Sequence, residues 1–244
     1  MRKFLLGSSA MVAVSLASQA LAADMSSAFK APVAAAAPFN WSGLYIGGVI
    51  GGALQTTTID DKNCNLSCSS QNLNGSGFTG GGVIGWNYQF GAGLVGIEAE
   101  FSGANFKADL VDPQWSTPNG THHHAEWDWF STVRGRVGLT VDRALIYATG
   151  GAAFVDVNVT GRSASDVCAS RPGCFGLSGV QTGLAAGFGA EYAFARNWTA
   201  KAEYLFIGLP SRNVHDSVRT STTDQYNISS DAHILRVGVS YLFN

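Results

Sequence analysis

Val95-Gly96-Ile97-Glu98-Ala99-Glu100-Phe101-Ser102 repeats with a period of two: one apolar side chain, then one small or charged. Successive side chains of a strand point to opposite faces, so Val95, Ile97, Ala99 and Phe101 share one face and Glu98, Glu100 and Ser102 the other. The same pattern recurs along the chain. Trp127, Trp129, Val133, Val137, Leu139 and Val141 oppose Asp128, Thr132, Arg134, Arg136 and Thr140. Leu145, Tyr147, Ala153, Val155 and Val157 oppose Asp156 and Asn158, and Val180, Leu184, Phe188, Tyr192 and Phe194 oppose Gln181 and Glu191. Trp198, Ala200, Ala202, Tyr204 and Phe206 stand against Thr199, Lys201 and Glu203; Leu235, Val237, Val239, Tyr241 and Phe243 stand against Arg236 and Ser240. In the first such run, Gly47, Gly48, Gly51 and Gly52 leave the parity open.

The runs are spaced as hairpins. They begin near Leu44, Leu94, Leu145 and Trp198, at intervals of 50, 51 and 53 residues, and each is followed by a second run. The eight predicted strands cover roughly 44–56, 77–90, 94–107, 127–141, 144–160, 178–194, 198–209 and 232–243. Each is long enough to cross a bilayer at a tilt, which takes about 9–11 residues. Gly91-Ala92-Gly93, Asp142-Arg143 and Ala195-Arg196-Asn197 form tight connections, whereas the other connections are far longer. Short turns at one end and long loops at the other match the layout of a transmembrane β-barrel, although the alternation alone also fits a soluble eight-stranded barrel with its apolar face inward. The aromatic residues agree. Tyr88, Phe90, Tyr147, Tyr192, Phe194, Trp198, Tyr241 and Phe243 cluster toward the short-turn end, and Trp127, Trp129 and Phe206 toward the long-loop end, as two interfacial girdles require. The expected fold is all-β: an eight-stranded antiparallel up-and-down transmembrane β-barrel with short periplasmic turns and long extracellular loops, over residues 41–244.

Composition sharpens the exclusion of other classes. Only 13% of the 244 residues are charged, while 30 are glycine and 14 Phe, 7 Tyr and 6 Trp are present. A disordered chain carries more charge and fewer aromatics. A helical membrane protein needs runs of about 20 apolar residues, which this sequence lacks. The net charge of −2 and the absence of a Lys/Arg cluster argue against nucleic acid as a partner. Arg2 and Lys3, an apolar stretch from Phe4 to Leu16, and Ala20-Leu21-Ala22 have the layout of a secretory signal peptide over residues 1–22. Residues 23–40, rich in Ala, Pro and Ser, read as a flexible segment.

Phe39-Asn40-Trp41-Ser42-Gly43-Leu44-Tyr45-Ile46-Gly47-Gly48, Trp198-Thr199-Ala200-Lys201-Ala202-Glu203-Tyr204 and Arg236-Val237-Gly238-Val239-Ser240-Tyr241-Leu242-Phe243 resemble the small outer-membrane immunogenic proteins of alpha-proteobacteria. That family is related in fold to the OmpA-type barrel. The resemblance implies a porin-like barrel in the cell outer membrane, with structural and surface-antigen roles and, in some members, binding of haemin. It also implies outer-membrane lipids, including lipopolysaccharide, and the outer-membrane assembly machinery as partners. Tyr241 and Phe243 carry the resemblance to the assembly signal, although such barrels usually end on an aromatic and here Asn244 follows.

The candidate chemistry is sparse. Glu98, Glu100, Asp128, Arg134, Arg136, Asp156, Glu191, Lys201, Glu203 and Arg236 are all expected to face inward. An eight-stranded barrel is just wide enough for side chains to fill, so these residues are expected to interlock as a static plug. A gate for small ions, opened when an arginine exchanges carboxylate partners, is the sharper alternative. Export exposes Cys64, Cys68, Cys168 and Cys174 to an oxidising compartment. Of three pairings, Cys64–Cys68 and Cys168–Cys174 are favoured by their short separations. His122-His123-His124, read as part of the second long loop beside Glu126 and Asp128, is the candidate metal or haemin handle. No cofactor is required by any motif. Gly80-Gly81-Gly82-Val83-Ile84-Gly85 satisfies a nucleotide-loop pattern but lies inside a strand with no helix to follow. A lipid-modifying enzyme would draw on His122–His124, His215 or His233, yet nothing in the sequence sets a nucleophile beside a base.

Overall fold

The computed structural model describes residues 39–61, 70–112, 121–163, 175–215 and 225–244. The predicted signal peptide, most of the segment over 23–40 and all four cysteines lie outside the described residues. Eight strands follow one another: β1 (Gly43–Asp61), β2 (Gln71–Phe90), β3 (Gly93–Asp112), β4 (Thr121–Val141), β5 (Ala144–Ser163), β6 (Phe175–Ala193), β7 (Trp198–His215) and β8 (Gln225–Phe243). Each pairs antiparallel with the next, and β8 returns to β1, closing the barrel. Closure leaves no edge within the hydrocarbon, where an unpaired backbone group costs several kcal/mol. At the tight end, Asp142 takes a left-handed φ of 51° in the two-residue β4–β5 turn, a conformation that aspartate tolerates better than most side chains.

The strands are longer than the sequence pattern indicates. At 18–21 residues each, tilted as in other barrels, they span roughly 50 Å, about twice the apolar band of an outer membrane. The outward faces mark where that band ends. On β1 they are apolar through Leu44, Ile46, Ile50 and Leu54, then turn polar at Thr56 and Thr58, which hydrogen-bond outward-facing Asn74 (3.3 Å) and Asn72 (2.9 Å) of β2. On β8 the change falls between Leu235 and Asp231, and on β5 between Phe154 and Asp156. Beyond it the inner face becomes the apolar one. Phe106, Trp127, Phe130, Val155, Val157, Leu205, Ile207 and Ile234 pack there as a buried core, as in a water-soluble barrel.

This inversion corrects two parities. On β5, Leu145, Tyr147, Ala153, Val155 and Val157 point inward and Asp156 outward, opposite to expectation, because both faces of this strand carry apolar residues. On β4 a bulge between Trp127 and Trp129 inserts Asp128 and reverses the alternation. Trp127 is therefore buried inside, and Asp128 is exposed outside.

One seam is short. β6 and β7 pair only from Leu184–Gly208 to Ala193–Thr199, whereas β5–β6 pairing continues to Gly161–Phe175 and β7–β8 pairing to His215–Gln225. Two features disfavour continuation. Gly179 holds a φ of 110° within β6, and Pro210, which has no N–H, sits in the β7 irregularity between Leu209 and Arg212. Every second amide of residues 175–183, those turned toward β7, is expected to exchange with deuterium ahead of the amides paired to β5. Uniform protection along this stretch in a residue-resolved exchange experiment would contradict the short seam.

Candidate functional site

The inward faces of β3, β4, β6, β7 and β8 converge within the membrane band on four carboxylates and four cations: Glu98, Glu100, Glu191 and Glu203 with Arg134, Arg136, Lys201 and Arg236. Arg134 is the hub. Its two terminal nitrogens reach Glu98 (2.5 Å), Glu100 (3.0 Å) and Glu203 (2.8 Å). Arg236 bridges Glu100 and Glu203 from β8. Arg136 pairs with Glu191 at 2.9 Å, and Lys201 with Glu98 at 2.8 Å. Hydroxyl groups fill most of the remaining acceptor positions: Ser102 donates to Glu100 (2.7 Å), Thr199 to Glu191 (2.6 Å), Tyr45 to Glu98 (2.8 Å) and Tyr147 to Glu203 (2.6 Å). The Arg136 guanidinium also donates to Tyr45 Oη (2.9 Å) and lies 4.1 Å from the Tyr147 ring centre. Space for the two tyrosines comes from glycines across the wall. A Cβ at Gly85 would strike the Tyr45 hydroxyl, and one at Gly189 would stand 2.8 Å from the Tyr147 ring.

Eight of the ten side chains expected to face inward meet here; Asp128 and Asp156 do not, for the reasons of parity given above. Tyr45, Tyr147 and Thr199 were not in that set. Glycine blurred the parity around Tyr45, and Tyr147 read as part of an outward girdle. The cluster is capped on both sides. Below it, Trp41, Leu94, Leu145 and Ala193 pack together, with Phe39 edge-on to Trp41 at 4.9 Å and the Trp41 backbone N–H donating to the Gln89 side-chain oxygen at 2.8 Å. Phe39 thus joins the barrel floor although it falls in the stretch read as flexible. Above the cluster lies the apolar core already described.

His122, His123 and His124 are consecutive residues. All three belong to β4 rather than to a loop. His123 is buried inside, while His124 points outward and bonds Asp109 on β3 (2.7 Å) and Glu126 (3.4 Å). As neighbours on a strand, His123 and His124 face opposite sides of the wall. Among the described residues no group of three His, Cys, Asp or Glu side chains is placed to hold a metal. Tyr241 and Phe243 face outward at the foot of β8, their rings 4.9 Å apart, while Asn244 donates to the Asn40 carbonyl at 2.8 Å.

A closed barrel with a lipid-facing apolar band has a defined set of relatives. Residues 10–243 match the outer membrane protein beta-barrel domain. The chain belongs to that family. This outer-membrane barrel is 33% identical to the 31 kDa outer-membrane immunogenic protein of Brucella melitensis, over 96% of this chain and 98% of that one. It is 28% identical to the 22 kDa outer membrane protein of Rhizobium leguminosarum, over 75% of this chain and 71% of that one. Among solved structures it is similar to the outer membrane protein OprG of Pseudomonas aeruginosa, with 12% identity, coverage of 83% of this chain and 97% of that one, and a TM-score of 0.47. The family match and the two named relatives place the barrel in the outer membrane, where tight turns of such barrels face the periplasm.

Two predictions follow from the charge geometry. Arg134→Ala or Glu203→Ala leaves buried charges without partners and is expected to cost about 3–5 kcal/mol, read as the shift in denaturant midpoint of the folded band on unheated gels. An unshifted midpoint would contradict the hub role. His124, outside the membrane band, has its pKa raised above 6.5, chiefly by the hydrogen bond to Asp109. Its contribution is therefore fully present below 6.5 and lost as the pH rises through the raised folded value. With the side chain 37% exposed, screening keeps the effect below ~1 kcal/mol. His124→Gln should destabilise at acidic pH and be neutral at alkaline pH; equal unfolding free-energy differences at both would remove the contribution.

Proposed function

We propose that the outer-membrane barrel is a non-conducting structural protein. It anchors an extracellular β-stalk whose long connections are surface-exposed and antigenic, and it contributes to envelope integrity. The observation that carries this reading is the order of layers inside: an apolar floor at Trp41 and Leu94, a charge cluster at mid-depth, and an apolar core from Ala53 to Ile234 above it. Exchange of carboxylate partners within the cluster opens no path, because ions would still meet apolar packing on either side. The name of the Brucella relative, which describes that protein as immunogenic, supports the antigenic part.

The test is single-channel recording in planar bilayers. Wild-type protein is expected to stay at baseline, and so is Glu203→Ala, since removing one carboxylate leaves both apolar layers in place. Discrete conductance steps from the wild type would overturn the closed-barrel reading. Proteolysis of intact cells that left the long connections uncut would count against their exposure.

A further inference from the structure

The chain enters the barrel through a short strap. Residues 39–42 precede β1, and among the described residues none of the four makes a backbone-to-backbone hydrogen bond. Side chains hold the strap instead. The Trp41 backbone N–H donates to Gln89 Oε1 (2.8 Å), the Gln89 backbone N–H donates to Ser42 Oγ (3.0 Å), and Asn244 Nδ2 donates to the Asn40 carbonyl (2.8 Å). Asn197, in the turn between β6 and β7, donates to Asn244 Oδ1 at 2.9 Å and to the Leu242 carbonyl at 2.7 Å. The residue that follows the last aromatic of β8 is therefore a latch, tying the strap to the far side of the closing seam.

Packing sets the strap across the mouth of the barrel. Trp41 is buried against Leu94, Leu145 and Ala193 from β3, β5 and the end of β6. Phe39 touches that group and also a second one, Tyr45, Val49, Val83 and Leu242 from β1, β2 and β8. Tyr45 and Tyr147 belong to these groups and bond Glu98 and Glu203, so the strap lies directly beneath the ion cluster. Between strap and cluster the inner wall is polar. Ser240 stands on the inward face of β8 between Leu242 of the floor and Arg236 of the cluster, and Asn87 faces inward from β2. Ser240 Oγ and Asn87 Oδ1 are both buried without a hydrogen-bond partner among the described residues, a state that water would relieve.

We propose that residues 39–42 are a lid on the periplasmic mouth, which opens while all eight strands stay paired and admits water and small ions to the polar layer at Ser240, Asn87 and Glu191. Two features set it apart from the rest of the floor. It leaves by breaking side-chain contacts and no strand ladder, which puts it at the low-stability end of the molecule. Behind it lie unpartnered polar groups, whose hydration offsets part of the lost packing of Trp41. The space uncovered is a dead end, because the apolar core above the cluster is built from the strands themselves. This goes beyond the closed-barrel reading, since a strap that never moved would leave the barrel just as closed.

Thiol accessibility in the detergent-solubilised barrel tests it. Ser240→Cys reports from behind the lid, and Ala232→Cys, on the same strand, from the apolar core above the cluster. Each is treated with a positively charged methanethiosulfonate reagent and read by peptide mass at that residue, apart from the native cysteines. Ser240→Cys is expected to react slowly in the otherwise wild-type chain. Adding Asn244→Ala should speed it roughly tenfold, the loss of one hydrogen bond, and adding Trp41→Ala should speed it further. Ala232→Cys is expected to stay unmodified in all three backgrounds. Each variant is first checked for the compact unheated gel form. A Ser240→Cys that never reacts, or reacts at one rate whatever stands at 41 and 244, would overturn the lid. Parallel acceleration at 232 would overturn it too, because the barrel would then be loosening as a whole.

Discussion

One sheet in two solvents is the constraint on which the rest of this molecule depends. For about ten residues each strand shows its outer face to hydrocarbon, and beyond that to water. In hydrocarbon the backbone must be paired and the outer side chains apolar, while the inside is free to be polar if its charges are matched. In water the requirement reverses, because only an apolar interior supplies a driving force for holding the sheet closed. β8 shows both regimes on one strand: Leu235, Val237 and Val239 face lipid around buried Arg236, whereas Ile228, Ala232 and Ile234 face inward beside outward Ser229 and Asp231.

The charge cluster belongs to the lower regime. Buried between apolar layers, its charged side chains are at most 5% exposed, so each ion depends on its protein partners. The sharing is dense: Arg134 serves three carboxylates, and Glu203 is held by Arg134, Arg236 and Tyr147. Moving one arginine away would strip several carboxylates at once.

Legibility in the sequence followed the same boundary. Within the membrane band, the contrast between Val95, Ile97 and Phe101 on one side and Glu98 and Glu100 on the other set the parity of β3 and, with it, most of the cluster. Above the band the apolar face changes sides, and a rule that assigns apolar residues to lipid then misplaces Val155 and Val157. Strand length was underread for the same reason, since the polar outer positions of the stalk, such as Thr58, Asn74 and Glu126, look like loop. The Asp128 bulge had no local signal: no glycine or proline marks it, and only the paired strands reveal the extra residue. Tyr45 needed the register as well, because its place is made by Gly85 on the neighbouring strand.

The short β6–β7 seam fits this division. Leu184–Gly208, its last pair, lies in register with Asp231 on β8, where the outer face has already turned polar. Below that level an unpaired strand edge would leave backbone groups in hydrocarbon, and the pairing is continuous down to Ala193–Thr199. Above it, water satisfies the same groups at little cost, so a proline and a positive-φ glycine are tolerated in facing strands. The wall can part there because core residues at that level, including Ile59, Leu73 and Ile228, sit on β1, β2 and β8, whose pairing continues. A break in pairing is thus restricted to the part of the barrel that stands clear of the membrane.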